Sequence, residues 1–262
     1  MRTKALKAFV FCLYEPYRLN EFIKHSNIMK LDILVFAAHP DDAELSCSGT
    51  IASHLAQGKK VGVIDLTQGE LGTRGTPETR KKEAELASQI MGLTIRENLG
   101  FADGFFKNDK EHQIEIIKKI REYQPKIVIA NAITDRHPDH GKGAELVRDA
   151  FFLAGLRKIE TDQEAYRPQF LYHFIQDRYI TPDLVVDISD YWEIKKQSIL
   201  AYGTQFNANP NDSEPQTYIS TPEFFDAIEA RSKEFGHQIG VRYGEGFTKT
   251  RMLGVKNLFD LV

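Results

Sequence analysis

The chain has 262 residues, of which 42% are hydrophobic and 27% are charged, and its formal net charge is −3. A chain of this size can bury a full hydrophobic core, and its charge gives no broad basic field for nucleic acid or anionic membranes. The two cysteines, Cys12 and Cys47, form no C-x-x-C pair, so neither a disulfide framework nor a thiolate zinc site is predicted. We predict a cytoplasmic protein with a small-molecule partner, bound to neither nucleic acid nor membrane.

The first residues differ from the rest of the chain. An apolar run, Ala8–Tyr14, follows several basic residues and resembles the beginning of a signal peptide. It ends at Glu15 and Pro16 without a cleavage site, and it is too short to span a membrane. Met29 directly precedes the first strong strand pattern. We therefore predict an N-terminal extension over residues 1–30, with Met29 as an alternative start, and one domain over residues 31–262.

From Leu31 onward, short β-rich runs alternate with longer helix-period segments, a pattern typical of α/β units that build a parallel sheet. The predicted strands are Leu31–Ala38, Val61–Leu66, Lys126–Ala130, Leu171–Ile175 and Leu184–Ile188. The predicted helices are Ser46–Gln57, Glu78–Met91, Ile114–Tyr123, Lys142–Leu153, Tyr191–Tyr202 and Pro222–Phe235. Asn207–Pro215 has the composition of a loop. The predicted fold is a single-domain, Rossmann-like α/β fold with a mostly parallel sheet flanked by helices.

Two clusters of histidine and carboxylate follow two of these strands: H-P-D-D at 39–42 and H-P-D-H at 137–140. Because ligands bind outside the carboxyl ends of the strands in an open parallel sheet, the two clusters can converge on one site. Two histidines and one carboxylate suit zinc or iron(II) and leave coordination positions free for water and substrate. Asp41 and Asp42 are adjacent, so one can bind the metal while the other acts as a base; spacing leaves open which does which.

The alternative for each cluster is a structural role, because Asp and His are common in turns and helix caps. Two clusters at one sheet edge favour a catalytic site over that reading. The other histidines lack carboxylate neighbours at ligand spacing, and we assign them no role. Cys47 is predicted to pack in the core. Glu44 is predicted to support the following helix, with contact to a metal ligand as the alternative. The glycines of residues 69–75 do not form G-x-G-x-x-G, and the chain has no Walker A motif, so nucleotide binding is not predicted.

Three stretches resemble a known family: AAHPDDAELSCSGTIA, LTQGELGTRGT and HPDHGKGAELV. They are similar to the LmbE-like, or PIG-L-like, deacetylases, zinc enzymes that act on N-acetylglucosamine conjugates. The resemblance covers much of Leu31–Phe152 and is strongest to the bacillithiol-pathway branch, the N-acetylglucosaminyl-malate deacetylases. Many relatives read H-P-D-D-E, so Ala43 before Glu44 departs from the broader pattern and agrees with this branch.

The resemblance implies particular roles for the first cluster and its partner. By position, His39, Asp42 and His140 correspond to the zinc ligands, and Asp41 corresponds to the general base. It implies Zn²⁺ as the cofactor, with Fe²⁺ as the alternative in cells. The implied reaction is attack of an activated water on the acetamide carbonyl, which releases acetate and a free amine. The implied assembly is a homo-oligomer, such as a hexamer.

The resemblance also implies roles for residues around the metal ligands. His137 would stabilise the oxyanion or protonate the leaving amine, and Asp139 would orient and charge its ring, since a neighbouring carboxylate favours imidazolium. Arg74 and Arg136 match arginines that contact the malyl group in the bacillithiol branch. Guanidinium groups bind carboxylates through two hydrogen bonds, so this pair would select an acidic conjugate.

Three other functions compete with this interpretation. The same chemistry could act on another N-acetylglucosamine conjugate, such as an inositol derivative or an oligosaccharide. An iron(II) oxygenase uses the same ligand types, but such sites usually lie in all-β barrels, and the alternating α/β pattern argues against it. A non-catalytic metal or sugar binder would not need Asp41, so loss of turnover without loss of zinc in Asp41→Asn would exclude it.

Overall fold

The computed structural model describes residues 29–206 and 214–261. The predicted apolar run of the N-terminal extension and most of the predicted loop at Asn207–Pro215 lie outside these residues. Among the described residues, none of the helices combines the length and the apolar character that crossing a bilayer requires.

Within the described residues, seven strands form one sheet, and the predicted fold class is confirmed. In chain order they are β1 (Ile33–Ala37), β2 (Val61–Thr67), β3 (Ile95–Phe101), β4 (Ile127–Ala130), β5 (Phe170–Phe174), β6 (Leu184–Asp187) and β7 (Gly244–Lys249). Their spatial order is β3-β2-β1-β4-β5-β7-β6. The first five strands pair in parallel, and β7 runs antiparallel to both β5 and β6. Strands β3 and β7 were not predicted.

The helices flank this sheet, and those predicted from the sequence are all present. They are α1 (Asp42–Ala56), α2 (Pro77–Met91), α3 (Lys110–Tyr123), α4 (Pro138–Leu153), α5 (Trp192–Leu200), α6 (Gly203–Phe206) and α7 (Pro222–Gln238). The predicted starts of α1, α3 and α4 were wrong by about one turn. Helices α1 and α4 begin inside the histidine-carboxylate clusters, so these clusters form helix N-termini.

Alternation along β1 divides the core into two halves. Ile33, Val35 and Ala37 pack into one apolar cluster with α1, α2, α5 and α7. Leu34 and Phe36 point to the opposite face and pack against α3 and α4. This period of two is what a strand buried on both faces requires. Helices on both faces shield the sheet and leave its carboxyl edge as the place where a site can open.

Local chemistry explains why α2 begins and ends where predicted. Thr76 and Thr79 form a reciprocal capping box at its start, and Pro77 occupies the first turn, where its missing N–H costs nothing. Gly92 ends the helix in the left-handed conformation, with φ of 76°. Glycine adopts this conformation without a steric penalty, so the helix ends after Met91, as predicted.

Helix α1 bends at Cys47, whose φ of −143° and ψ of 15° are not helical. A buried ion pair spans the bend. Glu245 of β7 accepts hydrogen bonds from the backbone N–H groups of Gly49 (3.1 Å) and Thr50 (2.7 Å), and it lies 2.7 Å from the ammonium of Lys195 in α5. Lys195 also donates to backbone carbonyls of the preceding turn. Side chains from two distant elements therefore satisfy the backbone groups that the bend exposes.

Of two residues beside the first cluster, Cys47 packs in the core, as predicted, and Glu44 belongs to a buried network of charged groups. Cys47 is fully buried, and burial raises the pKa of its thiol well above the usual value. Glu44 is also fully buried; it pairs with Arg96 and accepts a hydrogen bond from the Tyr202 hydroxyl (3.2 Å). Arg96 in turn binds Asp65 of β2 at 2.8 Å. This network joins the first turn of α1 to strands β2 and β3.

The two clusters meet at the switch point of the sheet. From β1 the chain adds β2 and β3 on one side, and β4 lies on the other side of β1. Helix α1 begins soon after β1, and α4 begins soon after β4, so both helix N-termini lie at the same edge. Crevices at such switch points are where open α/β sheets bind ligands.

Candidate metal centre and its pocket

The predicted ligands His39, Asp42 and His140 come together in the structure. Asp42 is the first residue of α1, and its carboxylate lies between the two histidines. Its Oδ1 is 3.1 Å from Nε2 of His140, and its Oδ2 is 3.6 Å from Nδ1 of His39. Asp42 is 3% exposed. Two imidazole nitrogens and one carboxylate thus share a small buried volume, although they belong to widely separated parts of the chain.

A third imidazole, that of His137, joins this group. One ring nitrogen from each of His39, His137 and His140 lies within 4.8 Å of the others. The ring of His137 is 4.7 Å from that of His39 and 5.2 Å from that of His140, centroid to centroid. His137 caps α4, and its Nδ1 accepts a hydrogen bond from the N–H of Asp139 at 3.3 Å. Burial and two neighbouring imidazoles lower the pKa of His137.

Carboxylates hold the outer nitrogens of both predicted histidine ligands. Oδ1 of Asp103 lies 3.0 Å from Nε2 of His39, and Oδ2 of Asp135 lies 2.5 Å from Nδ1 of His140. A carboxylate on one ring nitrogen fixes the tautomer and directs the other nitrogen toward a metal. Sequence reasoning missed both residues. Asp135 stands two residues before the second cluster, which was an available signal, whereas Asp103 follows the unpredicted strand β3.

Two amides hold the carboxylate of Asp42. Asn131, directly after β4, donates to its Oδ2 at 3.0 Å, and Gln176, soon after β5, donates to its Oδ1 at 2.8 Å. Asn131 also accepts a hydrogen bond from the N–H of Ala38 at 2.8 Å, which ties it to the end of β1. Both amides were missed. Their position at the carboxyl ends of parallel strands is a signal that could have found them.

The neighbouring carboxylate, that of Asp41, points elsewhere. Oδ2 of Asp41 accepts a hydrogen bond from Nη2 of Arg80 at 2.9 Å, and Arg80 also donates to the carbonyl of Pro40. The backbone of Asp41 has a φ of 124°, which is rare outside glycine. Burial raises the pKa of Asp41 to about 7, against the opposing attraction of Arg80. A carboxyl group with such a pKa can accept and return a proton near neutral pH.

The electrostatics of the cluster favour positive charge. Burial opposes protonation of His39, but hydrogen bonds to Asp103, Asp139 and Asp42 outweigh it and raise the pKa of His39 well above the usual value. Burial likewise opposes protonation of His140, and the attraction of Asp42 is the main cause that raises its pKa to about 9. A divalent cation would experience the same field. The nitrogen and oxygen donors present fit zinc or iron(II).

Asp139 is fully buried, and its carboxylate accepts hydrogen bonds from the N–H of Gly104 (2.7 Å) and from Lys142 (3.0 Å). It also lies 3.5 Å from Nε2 of His39. Its direct contact with His137 is made through its backbone N–H. The orienting role of the Asp139 carboxylate toward His137 stays a prediction. Its short distance to Nε2 of His39 indicates that the Asp139 carboxylate helps to position His39.

The two predicted substrate arginines differ in position. Arg136 lines the pocket, where its Nε donates to Asp177 at 3.1 Å and its guanidinium lies 4.6 Å from the centre of the Tyr218 ring. Its side chain is 46% exposed, so a ligand can reach it.

Arg74 is 3% exposed and lies behind the pocket wall to which its neighbours Gly72 and Thr73 contribute. Its Nε donates to the carbonyl of Thr204 at 2.7 Å, and its Nη1 donates to the carbonyls of Glu214 and Pro215, each at 3.2 Å. These bonds join the chain on both sides of residues 207–213. Substrate contact by Arg74 stays a prediction. The observed hydrogen bonds show that Arg74 holds these two segments of the chain together.

One pocket, with a volume of about 330 Å³, opens over the cluster. This volume is in the range of small-molecule sites. Its walls include the predicted metal ligands, two of the predicted catalytic residues and one of the predicted substrate arginines: His39, Asp41, Asp42, Arg136, His137 and His140. The buried Asp139 does not line the pocket.

Comparison with known proteins shows which family the chain resembles. The model of the PIG-L family, described as GlcNAc-PI de-N-acetylase, matches residues 34–151. A solved structure of a conserved protein from Thermus thermophilus is 37% identical, with a TM-score of 0.78 over 86% of this chain and 98% of that one. The diacetylchitobiose deacetylase of Thermococcus kodakarensis is 29% identical over 82% of this chain and 81% of its own. The 4-oxalmesaconate hydratase of Pseudomonas putida is 24% identical over 67% and 74%, respectively.

The fold and the cluster define an α/β protein with a histidine-carboxylate centre at the switch point of its sheet. The chain belongs to the PIG-L, or LmbE-like, family.

Proposed function

We propose that the chain is a metal-dependent N-deacetylase, an amide hydrolase that removes the acetyl group from an N-acetylglucosamine conjugate. One observation carries this proposal: the carboxylate of Asp41 and the imidazole of His137 line the same pocket as a buried Asp42 that bridges two histidines. Family membership and the similarity to a sugar deacetylase support the reaction class.

His39, Asp42 and His140 are the proposed ligands of Zn²⁺, with Fe²⁺ as the alternative in cells. When bound, such an ion lowers the pKa of water to about 7 and polarises the carbonyl of the acetamide. Asp103 and Asp135 hold the outer ring nitrogens, while Asn131 and Gln176 hold the carboxylate, so the donor atoms need little rearrangement to bind the ion.

Asp41 is the proposed base that takes a proton from the attacking water. Arg80 fixes its carboxylate, and burial keeps its affinity for a proton high. His137 is the proposed donor to the carbonyl oxygen, where negative charge develops, or to the departing amine, with Asp139 as its proposed orienting neighbour. The C–N bond breaks as the amine nitrogen receives the proton, which leaves acetate and the free amine.

The proposed substrate is N-acetyl-α-D-glucosaminyl L-malate, as expected for bacillithiol biosynthesis. The exposed guanidinium of Arg136 at the pocket supports a substrate that carries carboxylates. The alternatives are an inositol conjugate and an N-acetylated oligosaccharide, which would use the same reacting groups.

The test is to load the purified protein with zinc and measure release of acetate and free amine. The substrates are N-acetylglucosaminyl-malate, N-acetylglucosamine and an N-acetylglucosaminyl-inositol. We expect turnover without oxygen, which would contradict an iron(II) oxygenase, and a preference for the malate conjugate. Release of acetate from none of the three, and none from an N-acetylated oligosaccharide, would overturn the proposal and favour a hydration reaction like that named for the Pseudomonas relative.

The matched variant is Asp41→Asn, which keeps the shape of the side chain and removes its basicity. We expect turnover to fall by about 100-fold or more, the usual worth of a general base, while the bound zinc per chain stays unchanged. Equal turnover in the variant and the parent protein would contradict the role of Asp41 and favour a binding protein.

A further inference from the structure

Three guanidinium groups line the pocket, those of Arg80, Arg136 and Arg231, and Arg231 has not entered the proposed reaction. Arg231 belongs to α7, and the same pocket is lined by Arg136 and His140. Its side chain is half-buried, and burial lowers the pKa of Arg231. Nothing in the sequence pattern of α7 distinguishes this arginine from a solvated one.

The two carboxylates that attract Arg231 most strongly, those of Asp177 and Asp135, are engaged by other groups. Oδ2 of Asp177 accepts a hydrogen bond from Arg136 at 3.1 Å, and its Oδ1 accepts one from the hydroxyl of Tyr218 at 2.9 Å. Both oxygens of Asp177 are therefore engaged at the rim of the pocket.

Asp135, the other carboxylate that attracts Arg231, is engaged in the same way. Its Oδ2 holds His140, and its Oδ1 accepts a hydrogen bond from the N–H of Arg178 at 2.7 Å. Within residues 29–206 and 214–261, the guanidinium of Arg231 makes neither a hydrogen bond nor an ion pair. Its donors therefore remain available to a molecule in the pocket.

A half-buried guanidinium without hydrogen-bond partners destabilises the protein when no ligand is bound. A charged group that loses part of its hydration without gaining hydrogen bonds is destabilising, so a partner with matching acceptors binds it favourably. Guanidinium matches a carboxylate through two parallel hydrogen bonds, a geometry that neither a hydroxyl nor an amide reproduces. Arg136 differs, since its Nε is already bonded to Asp177.

We propose that Arg231 is a specificity-determining residue that binds a carboxylate of the aglycone, so that the pocket selects anionic N-acetylglucosamine conjugates over neutral ones. This inference rests on the proposed deacetylase function and adds a second cationic contact to that of Arg136. Arg231 acts on the aglycone and leaves the reacting groups of the acetamide to the metal cluster.

The experiment compares two substrates with the same sugar: N-acetylglucosaminyl-malate and methyl N-acetyl-α-D-glucosaminide, which lacks carboxylates. Arg231→Gln is expected to lower kcat/KM for the malate conjugate by about 10- to 100-fold, the worth of a charge-assisted hydrogen bond. The ratio of kcat/KM values, malate conjugate to methyl glycoside, should fall by a similar factor. Arg231→Lys, which keeps the charge but loses the paired geometry, should give an intermediate ratio.

The matched control is Arg148→Gln, which changes an exposed guanidinium of α4 that pairs with Asp149, and it should leave both values unchanged. An equal loss on both substrates, or no loss on either, overturns the role of Arg231. If the parent protein hydrolyses neither substrate, the proposed malate substrate fails, and the wider substrate assay described above decides the deacetylase function. Calorimetric binding of glucosaminyl-malate then decides the inference separately: weaker binding in Arg231→Gln supports it, and unchanged affinity overturns it.

Discussion

The ion pair between Lys195 and Glu245 yields a quantitative prediction about stability. Both side chains are almost fully buried, at 1% and 3% exposure, and their charged atoms are 2.7 Å apart. Glu245→Gln preserves the shape of the side chain and leaves the ammonium of Lys195 buried without its counter-ion. Breaking a buried pair in this way costs about 3 to 5 kcal/mol, because the remaining charge is uncompensated. We therefore expect Glu245→Gln to lower the free energy of unfolding by that amount.

The assay is urea denaturation followed by the fluorescence of Trp192, the single tryptophan of the chain, which stacks on Tyr243 at 4.4 Å and lies in the same helix as Lys195. The midpoint should fall while the slope with urea stays constant. The double variant Lys195→Met with Glu245→Gln should be more stable than the sum of the single effects predicts, since no unpaired ammonium remains. A loss below about 1 kcal/mol in Glu245→Gln, or strict additivity in the double variant, would refute the reasoning.

Two further predictions follow from the contacts around the site. Asp103→Asn should weaken zinc binding by about 10- to 100-fold, because the outer nitrogen of His39 loses its carboxylate; competition with a chelator measures this, and an unchanged affinity would contradict it. Arg74→Gln should lower the free energy of unfolding by about 1 to 3 kcal/mol, since the carbonyls of Thr204 and Glu214 lose a charged donor, and should speed protease cleavage next to Glu214. A raised KM for the malate conjugate with unchanged stability would instead support substrate contact by Arg74.

The sequence predicted the parts of the fold that strong apolar patterns specify. Strand β7 was not predicted because Gly244, Glu245 and Gly246 give it little apolar character. It forms a strand by pairing with both β5 and β6. Strand β3 escaped because polar side chains such as Arg96 and Glu97 break its apolar pattern. In both strands, tertiary pairing outweighs local propensity.

For the site, the sequence indicated the candidate metal ligands but not the residues that form hydrogen bonds to them. The two clusters are contiguous motifs, so their residue types and spacing were visible. The charged sequence of α2 predicts a solvent-exposed Arg80, yet this residue is 4% exposed and donates a hydrogen bond to Asp41. Gln176 and Asp103 come from different strand ends, and only the sheet order brings them to the same centre as His39. Such contacts depend on the assembled fold, which no local pattern encodes.

The positive φ of Asp41 places a backbone conformation that lowers stability at the same residue as the proposed catalytic base. Holding a non-glycine residue in that conformation costs about 1 to 3 kcal/mol, which the rest of the fold must offset. Glycine would relieve the strain and lose the carboxylate at the same time. A search for heat-resistant variants that scored survival alone would therefore favour Asp41→Gly. Under the proposed role of Asp41 as the base, it would enrich proteins that are more stable and inactive.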